Sequence, residues 1–454
     1  MAYALDRLGW LQFQQLCSRL LELDAGLSPD AWGGAADRVR TARSEGPLGP
    51  PLLGVELPGP VLVHCAWSRA SMDPAVMQTQ RLAIERPEEL VELGSYLLLS
   101  DGELEQPMRE PARAGAIRVW IMGARELSGR IDAQPRLRLE IPTLLGLREL
   151  APLLDGEAAR GSTLDLASAR ALAQVFAPTR AHGRAVAVLE SHHFAVLTGP
   201  PEMGKTAAAR IIALALMTDG WQAHECTSPD DVWRGYDPGA AQVFIADDAF
   251  GSTEYRPETA ERWARSMERL LRTLDERHWL IWTSRPAPLH AALARLHRER
   301  GAERFPSPAR VLIDAGELDG REKALILLRH AKALALPREV RARLRLHGPA
   351  IVAEPHFTPE RIRRLVLSLS QGEQDVLGAA QTQLQTPTEA MARSLAALAP
   401  EHRDLLVAML DTRPGPVPDR ELAAALRRHC DGPLRKRPTE LVDRLTDHFL
   451  RVMA

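Results

Sequence analysis

The chain has 454 residues, of which 45% are apolar and 26% charged, and its formal net charge at pH 7 is −2. These values predict about three folded domains and exclude a chain drawn to nucleic acid by a strongly basic charge along its whole length. The cysteines are widely spaced and form no Cys-x-x-Cys pair, which argues against a disulfide framework and a zinc site.

The first 150 residues predict a mixed α/β domain. Apolar residues recur at helical spacing in residues 5–23, which indicates an amphipathic helix, and residues 24–60 are rich in glycine and proline, as expected for hairpins and loops. A further helix is predicted at about 75–93. Short apolar runs predict strands at 61–67, 96–100 and 117–123.

The next part of the chain predicts a second α/β domain. Two short helices are expected within residues 163–190, and apolar strand runs then alternate with helical stretches. This alternation is typical of a parallel sheet that is covered by helices on both faces. The strand runs are FAVLTG (194–199), AQVFIADDAFG (241–251), HWLIWTS (278–284) and ARVLIDA (309–315), and the helices are 206–217 and 257–275.

Helices dominate after the last predicted strand. An amphipathic stretch predicts a helix at 321–334. A second helix is expected to begin at Thr358 and Pro359, because threonine suits an N-cap and proline suits the first helical position. The last part of the chain predicts further helical stretches, with breaks that contain proline or glycine at 413–418 and 431–438.

One segment matches the phosphate-binding pattern G-x-x-x-x-G-K-[ST]. It lies between a predicted strand and an alanine-rich helix, which is the context that the pattern requires. Its glycines let the backbone approach a phosphate chain, and the N–H groups of the loop and helix N-terminus attract the anion. We expect Lys205 to neutralise the β- and γ-phosphates and Thr206 to ligate Mg²⁺. The segment consists of Gly199, Pro200, Pro201, Glu202, Met203, Gly204, Lys205 and Thr206.

Two carboxylates follow the next long apolar strand run. Asp247 and Asp248 end the sequence VFIADD, downstream of the phosphate-binding segment. We expect Asp247 to hold Mg²⁺, directly or through water, and Asp248 to act catalytically by orienting or deprotonating the attacking water. The alternative is a pair of carboxylates that caps an ordinary strand.

A third strand run ends in polar residues. Thr283, Ser284 and Arg285 follow WLIW, and ligands bind at the carboxyl edge of parallel sheets. Arg285 is therefore a candidate catalytic residue that senses the γ-phosphate or stabilises transferred charge. The alternative is a surface arginine that follows a strand.

These motifs together resemble a novel STAND subgroup of P-loop NTPases that is found in bacteria. The matching segments are LTGPPEMGKTAAAR, IADDAFGSTEY, LIWTSRP and HFTPERI. The resemblance covers about residues 163–370 and implies a nucleotide-binding domain, a helical domain and a winged-helix domain, with residues 395–429 resembling the last. It also implies a switch that ADP keeps closed and that ATP opens, with self-association on ATP binding. Many relatives continue into a long sensor region, which we expect to be missing, reduced or supplied elsewhere.

The N-terminal domain resembles Mrr-like restriction endonucleases of the PD-(D/E)XK fold. The order of helix, hairpins, VLVHCAWS, helix and strands carries this resemblance. Members of that family hold Mg²⁺ with carboxylates and polarise water or phosphate with a lysine. Here Ala66 stands at the lysine position and Thr41 at the metal-binding aspartate position, whereas Asp37 matches an upstream acid.

We therefore expect a nuclease fold without nuclease activity, because alanine supplies no charge and the chain has no lysine before Lys205. An unusual site that uses Asp37, Glu56 and His64 stays open as the alternative. The arginines of residues 38–44 leave two interpretations open, a solvated loop or a contact to DNA phosphates.

The sequence thus predicts an α/β fold class with four domains. These are a restriction-endonuclease-like domain (1–150), a P-loop NTPase domain with a parallel sheet and N-terminal linker helices (151–318), a helical domain (319–385) and a winged-helix-like domain (386–454).

The favoured function is an ATP-binding switch in bacterial antiviral defence or signalling, with ATP or ADP and Mg²⁺ as cofactors and slow hydrolysis. Its degenerate N-terminal domain would bind DNA or a protein partner. An active ATP-linked restriction endonuclease and an ATP-dependent DNA-binding regulator are the alternatives. The N-terminus lacks the features of a signal peptide and no apolar run approaches about 18 residues, so we expect a cytoplasmic protein with no membrane partner.

Overall fold

The structure is a computed structural model. It divides the chain into two compact units, Met1–Pro152 and Leu153–Ala454. Three sets of predicted features lie outside the described residues: Asp37 with the nearby Arg38 and Arg40, the break at 431–438, and all but the last position of the helix at about 75–93. The described residues are 2–27, 41–48, 56–67, 93–104, 112–114, 117–150, 160–251, 257–286, 288–290, 292–293, 308–373, 375–386, 392, 395–396, 398–410, 412, 417–429, 441–442 and 445.

The first unit contains a five-stranded sheet with the order β1-β2-β3-β5-β4. The three central strands are parallel, whereas the edge strands β1 and β4 run antiparallel to their neighbours. The three predicted strands are confirmed as β2, β3 and β5. The elements are a 3-10 helix Leu5–Arg7, α1 Trp10–Ala25, β1 Thr41–Ser44, β2 Val61–Ala66, β3 Ser95–Ser100, β4 Ala112–Ala114, β5 Ile117–Met122, α2 Ala124–Ala133, α3 Pro135–Glu140 and a 3-10 helix Pro142–Gly146.

The helix predicted at 5–23 is wrong in one respect, because the chain breaks it at Gly9. Gly9 has an extended backbone and precedes the first residue of α1, so residues 5–7 form a separate 3-10 turn. Apolar side chains of α1 and α2, among them Phe13 and Leu127, pack with alternate residues of the central strands. This core buries one face of the sheet.

The second unit is built on a five-stranded sheet in which all neighbouring strands are parallel, as predicted. Its order is β10-β6-β9-β8-β7, so β9 is inserted between β6 and β8. The elements are α4 Leu166–Val175, α5 Arg180–His192, β6 Phe194–Thr198, α6 Lys205–Met217, β7 Gln222–Cys226, α7 Pro229–Gly235, β8 Gln242–Ala246, α8 Pro257–Thr273, β9 His278–Ser284, α9 Pro308–Val311 and β10 Leu312–Asp314.

Two features of this sheet differ from the prediction. The strand expected at 309–315 is confined to β10, because the chain from Pro308 to Val311 forms the short helix α9. Strand β7 was not predicted, because polar side chains interrupt its apolar pattern. One of them, His224, is buried against Gln242 of β8, whose Nε2 lies 3.2 Å from the imidazole Nε2.

After β10, the secondary structure of the described residues in the second unit is helical. Thr358 caps α12 as predicted, because its Oγ1 accepts a hydrogen bond from the backbone N–H of Arg361 at 3.3 Å. Helices α10 to α13 share one apolar core, and α14 and α15 pack together around a separate one. The helices are α10 Gly320–Ala333, α11 Arg338–Ala353, α12 Pro359–Ser370, α13 Val376–Gln385, α14 Pro400–Leu410 and α15 Asp419–His429.

The winged-helix assignment of residues 386–454 stays a prediction, because the described residues there amount to little more than α14 and α15. None of the described helices combines the length and apolar character needed to cross a bilayer.

Candidate functional site

The predicted phosphate-binding segment forms a loop between β6 and α6. Gly199 has φ of 144° and Gly204 has φ of 87°, so both occupy backbone conformations that favour glycine. A Cβ atom on Gly199 would lie 2.9 Å from the backbone nitrogen of Gly316, just after β10. The loop therefore requires glycine both for its turn and for its close packing against the neighbouring strand.

Lys205 begins α6 and lies under this loop. Its side chain is buried, with 7% exposed, and its Nζ donates hydrogen bonds of 2.7 Å to the carbonyl oxygens of Gly199 and Pro200. Burial lowers the pKa of Lys205 to about 8, although the charge of Asp248 acts in the opposite direction. The ammonium group is therefore held in the loop, and a negative charge brought close to it would raise its pKa.

Asp247, directly after β8, accepts two hydroxyl hydrogen bonds on one carboxylate oxygen. Thr206 Oγ1 donates to Asp247 Oδ1 at 2.7 Å, and Thr283 Oγ1 donates to the same oxygen at 2.5 Å. The contact between Thr283 and Asp247 is possible because β9 lies between β6 and β8 in the sheet. The two residues predicted to ligate Mg²⁺, Thr206 and Asp247, are thus in direct contact.

Asp248 has a left-handed backbone, with φ of 45°. Its N–H donates to Thr283 Oγ1 at 3.0 Å, and the side chain lines a cavity beside Lys205. Burial raises the pKa of Asp248, and the neighbouring charge of Asp247 raises it further. A carboxyl group with a raised pKa is better suited to accept a proton from water.

Arg285 follows β9 and lines the same cavity. Burial lowers the pKa of its guanidinium, and the charges of Asp248, Asp247 and Glu202 oppose this effect. Every residue predicted for the nucleotide site therefore lies at one edge of this sheet. Six of the eight loop residues line the cavity with Asp248 and Arg285, while Gly199 and Pro200 contribute the carbonyls that hold Lys205.

The cavity has a volume of about 420 Å³, which lies within the range of small-molecule sites. One end is formed by the phosphate-binding loop and the charged side chains. The other end is mostly apolar and comes from the α4–α5 connection and from α10. Burial lowers the pKa of His330, on α10, to about 4, so its imidazole is neutral at pH 7. The apolar end is lined by Leu172, Val175, Phe176, Ala177, Ala181 and Ile326.

Thr206 and Asp247 fit a magnesium ion that also binds phosphate oxygens and water. The described residues contain no cluster of three or more His, Cys, Asp or Glu side chains that would hold a metal by themselves. Mg²⁺ in nucleotide sites takes one or two protein oxygen ligands and completes its shell with phosphates and water. The hydroxyl and carboxylate observed here are sufficient for that arrangement.

Thr283 belongs to the site, although its sequence position predicted no specific role for it. Its hydroxyl donates to the carboxylate of Asp247 and accepts the backbone N–H of Asp248, so it holds one carboxylate and the backbone that carries the next. Arg361 on α12 was also not predicted as a site residue, and it lies 3.8 Å from the Glu202 carboxylate of the loop. The sequence signal was the polar end of β9 for Thr283 and the HFTPERI segment for Arg361.

Of the nuclease-like positions in the first unit, Ala66 lies in an apolar setting. Thr41 pairs with His64 across β1 and β2, and His64 Nδ1 lies 3.0 Å from the hydroxyl of Tyr96. Ala66 is buried, with 2% exposed, in an apolar cluster on the same face of the sheet as Tyr96. Glu56 is exposed. No described residue of this cluster supplies the lysine or the pair of carboxylates that the nuclease pattern requires.

A glycine loop before a helix, a buried lysine and an acidic strand end on one parallel sheet define a P-loop NTPase domain. The family model described as Novel STAND NTPase 3 matches residues 176–333, which contain the whole loop and both carboxylates. This match supports a STAND-class NTPase. No match was found among the curated proteins.

Several solved structures are similar to the chain at low identity. The Walker-type ATPase PABY2304 of Pyrococcus abyssi is 12% identical with a TM-score of 0.39, and the alignment covers 58% of this chain and 87% of that one. DnaA from Aquifex aeolicus, bound to AMPPCP, is 14% identical with a TM-score of 0.32, covering 60% and 88%. PCH-2 of C. elegans is 12% identical with a TM-score of 0.29, covering 65% and 84%. Similarities this low carry no functional information.

Proposed function

We propose that the chain is an ATP-binding switch of the STAND type that acts in bacterial antiviral defence or signalling. The observation that carries the proposal is the convergence of Lys205, Thr206, Asp248 and Arg285 on one cavity, with Asp247 hydrogen-bonded to Thr206 beside it. The family match over residues 176–333 supports the class of protein.

Each residue has a chemical role in this proposal. Lys205 leaves its loop carbonyls to meet the β- and γ-phosphates, and Thr206 and Asp247 hold Mg²⁺, which neutralises phosphate charge when bound. Asp248 orients or deprotonates the water that attacks the γ-phosphorus. Arg285 contacts the γ-phosphate or stabilises the charge transferred to the leaving group. The products are ADP and phosphate, and we propose that turnover is slow because a switch needs long-lived states.

The cavity walls suggest how the nucleotide would control the protein. One wall comes from the phosphate-binding loop and the other from α10 and the start of α12, including Glu360 and Arg363. A bound nucleotide would therefore contact both the parallel-sheet part and the helical part of the second unit. Exchange of ADP for ATP would change their contacts and promote self-association.

The N-terminal unit is proposed to serve as an interaction or DNA-sensing module without nuclease activity. The burial of Ala66 in an apolar cluster supports this proposal, because a hydrolytic metal site needs charged ligands and water. The arginines of residues 38–44 would contact DNA phosphates if the partner is DNA. The predicted domain boundaries at 318 and 385 remain part of the proposal.

A binding experiment with Lys205→Ala tests the proposal. Removing the ammonium group should abolish binding of Mg·ATP and Mg·ADP while leaving the circular dichroism spectrum unchanged. Sizing of the parent chain with ADP and with a non-hydrolysable ATP analogue should show a larger species only with the ATP analogue.

The matched control is Lys323→Ala, which removes a lysine of α10 whose Nζ lies 5.4 Å from the centre of the Phe357 ring. This variant should bind nucleotide like the parent. The nucleotide-site assignment fails if Lys205→Ala retains the affinity of the parent. The switch assignment fails if the parent binds nucleotide but its size is the same with both ligands.

A further inference from the structure

The phosphate-binding loop carries a carboxylate that contacts the helical part of the second unit. Glu202 has a left-handed backbone, with φ of 68°, and its side chain is 5% exposed. Its Oε2 accepts a hydrogen bond of 3.3 Å from Thr358 Oγ1 and lies 3.8 Å from Arg361 Nε. Thr358 is the N-cap of α12 and Arg361 lies in its first turn, so one helix terminus holds this carboxylate.

Arg361 is held in place by several acceptors. Its Nη1 donates to the carbonyl oxygen of His356 at 3.3 Å and to that of Leu384 at the end of α13. Its side chain is 7% exposed, so both members of the Glu202–Arg361 pair are largely removed from water. Loss of one partner of a buried pair leaves the other charge uncompensated, which is costly.

The carboxylate of Glu202 lies where it would repel an anionic ligand in the cavity. It lines the same cavity as Lys205, and its charge acts on Arg285 across that cavity. A triphosphate in the loop would bring several negative charges towards this carboxylate, and low dielectric strengthens the repulsion. A cation beside Glu202 therefore favours anion binding, and Arg361 lies 3.8 Å from its carboxylate.

We propose that Arg361 is a positioning residue of the nucleotide site. It neutralises Glu202 and holds its carboxylate on α12, which keeps the loop receptive to a phosphate chain. The inference rests on the proposed nucleotide-binding function, and it makes the docking of α12 a condition for tight binding.

A double-mutant cycle with Arg361→Gln and Glu202→Gln tests this role, with the dissociation constant of Mg·ATP as the readout. Arg361→Gln should weaken binding by about tenfold or more, because the carboxylate is left unpaired beside the phosphates. In a Glu202→Gln background, where no carboxylate is left to neutralise, Arg361→Gln should change the dissociation constant by no more than about threefold relative to Glu202→Gln alone. A purely structural role of Arg361 would give the same loss in both backgrounds.

Arg361→Lys separates charge from architecture, because lysine keeps the cation but cannot reproduce the bonds to both carbonyls. We expect this variant to bind within about threefold of the parent while its melting temperature falls. The inference is overturned if Arg361→Lys loses nucleotide affinity as Arg361→Gln does, if Arg361→Gln binds normally, or if Arg361→Gln loses as much affinity in the Glu202→Gln background as in the parent. The proposed function itself is overturned if the parent chain does not bind nucleotide. Only this inference is overturned if Arg361→Gln binds nucleotide normally while Lys205→Ala does not bind it.

Discussion

Raising the pH from 7.5 to 9.0 should weaken nucleotide binding through a single group, Lys205. Burial lowers its pKa to about 8, whereas a phosphate chain beside the ammonium would raise it again. Because the protonated form binds the anion, affinity should follow the protonated fraction of the free protein. With a pKa of about 8, this fraction falls from about 0.76 to about 0.09, so the dissociation constant should rise roughly eightfold.

The assay is calorimetric titration with Mg·ADP at several pH values, where phosphate groups with a second pKa of about 6 are already ionised. Titrations at pH 8 in two buffers of different ionisation enthalpy should show uptake of about half a proton per nucleotide. Lys205→Arg is the control, because arginine keeps its charge throughout this range. An affinity that does not change with pH, or that changes equally in Lys205→Arg, would refute the reasoning.

Three further predictions test other parts of the chain. Asp247→Ala should remove Mg²⁺-dependent phosphate release but leave the fold intact, and turnover equal to the parent would contradict its role. Gly199→Ala should lower the melting temperature and nucleotide affinity, because its Cβ would lie 2.9 Å from a backbone nitrogen, whereas Gly183→Ala in α5, with no atom within 4 Å, should not. The parent chain should leave supercoiled plasmid uncut with Mg²⁺ or Mn²⁺, and cleavage that Asp37→Ala abolishes would restore the nuclease hypothesis.

The phosphate-binding loop could be predicted from sequence because its chemistry depends on neighbours in the chain. Gly199 and Gly204 are needed for backbone conformations, and Lys205 and Thr206 follow at fixed positions at the start of a helix. Asp247 and Asp248 could be predicted for a similar reason, because charged residues that follow an apolar run mark the end of a buried strand. Local spacing was sufficient for these residues.

The role of Thr283 depends on sheet order rather than on local spacing. Strand β9 comes after β8 in the chain but lies between β6 and β8 in space, and only this insertion brings the Thr283 hydroxyl to Asp247. Sequence order alone does not fix that arrangement. Strand β7 escaped prediction for a different reason, because buried polar residues such as His224 satisfy each other across strands and hide the apolar pattern.

The contact between Glu202 and Arg361 joins residues that are far apart in the chain. It forms only because the helical part of the second unit packs over the loop, and Arg361 on its own reads as one more arginine in an arginine-rich helix. A charged residue inside a phosphate-binding loop is nevertheless a signal that can be sought. Such a residue predicts a partner of opposite charge elsewhere in the chain.

One oxygen of Asp247 accepts hydrogen bonds from Thr206, at the start of α6, and from Thr283, in β9, so a single carboxylate joins α6 to β9. A cation bound at this oxygen would perturb both hydrogen bonds and would therefore act on α6 and β9 together. Arg285 follows Thr283 by only two positions and lines the cavity, so a change at the Thr283 hydroxyl would arise close to the guanidinium. Binding of the metal and contact with the terminal phosphate would then be coupled through one carboxylate.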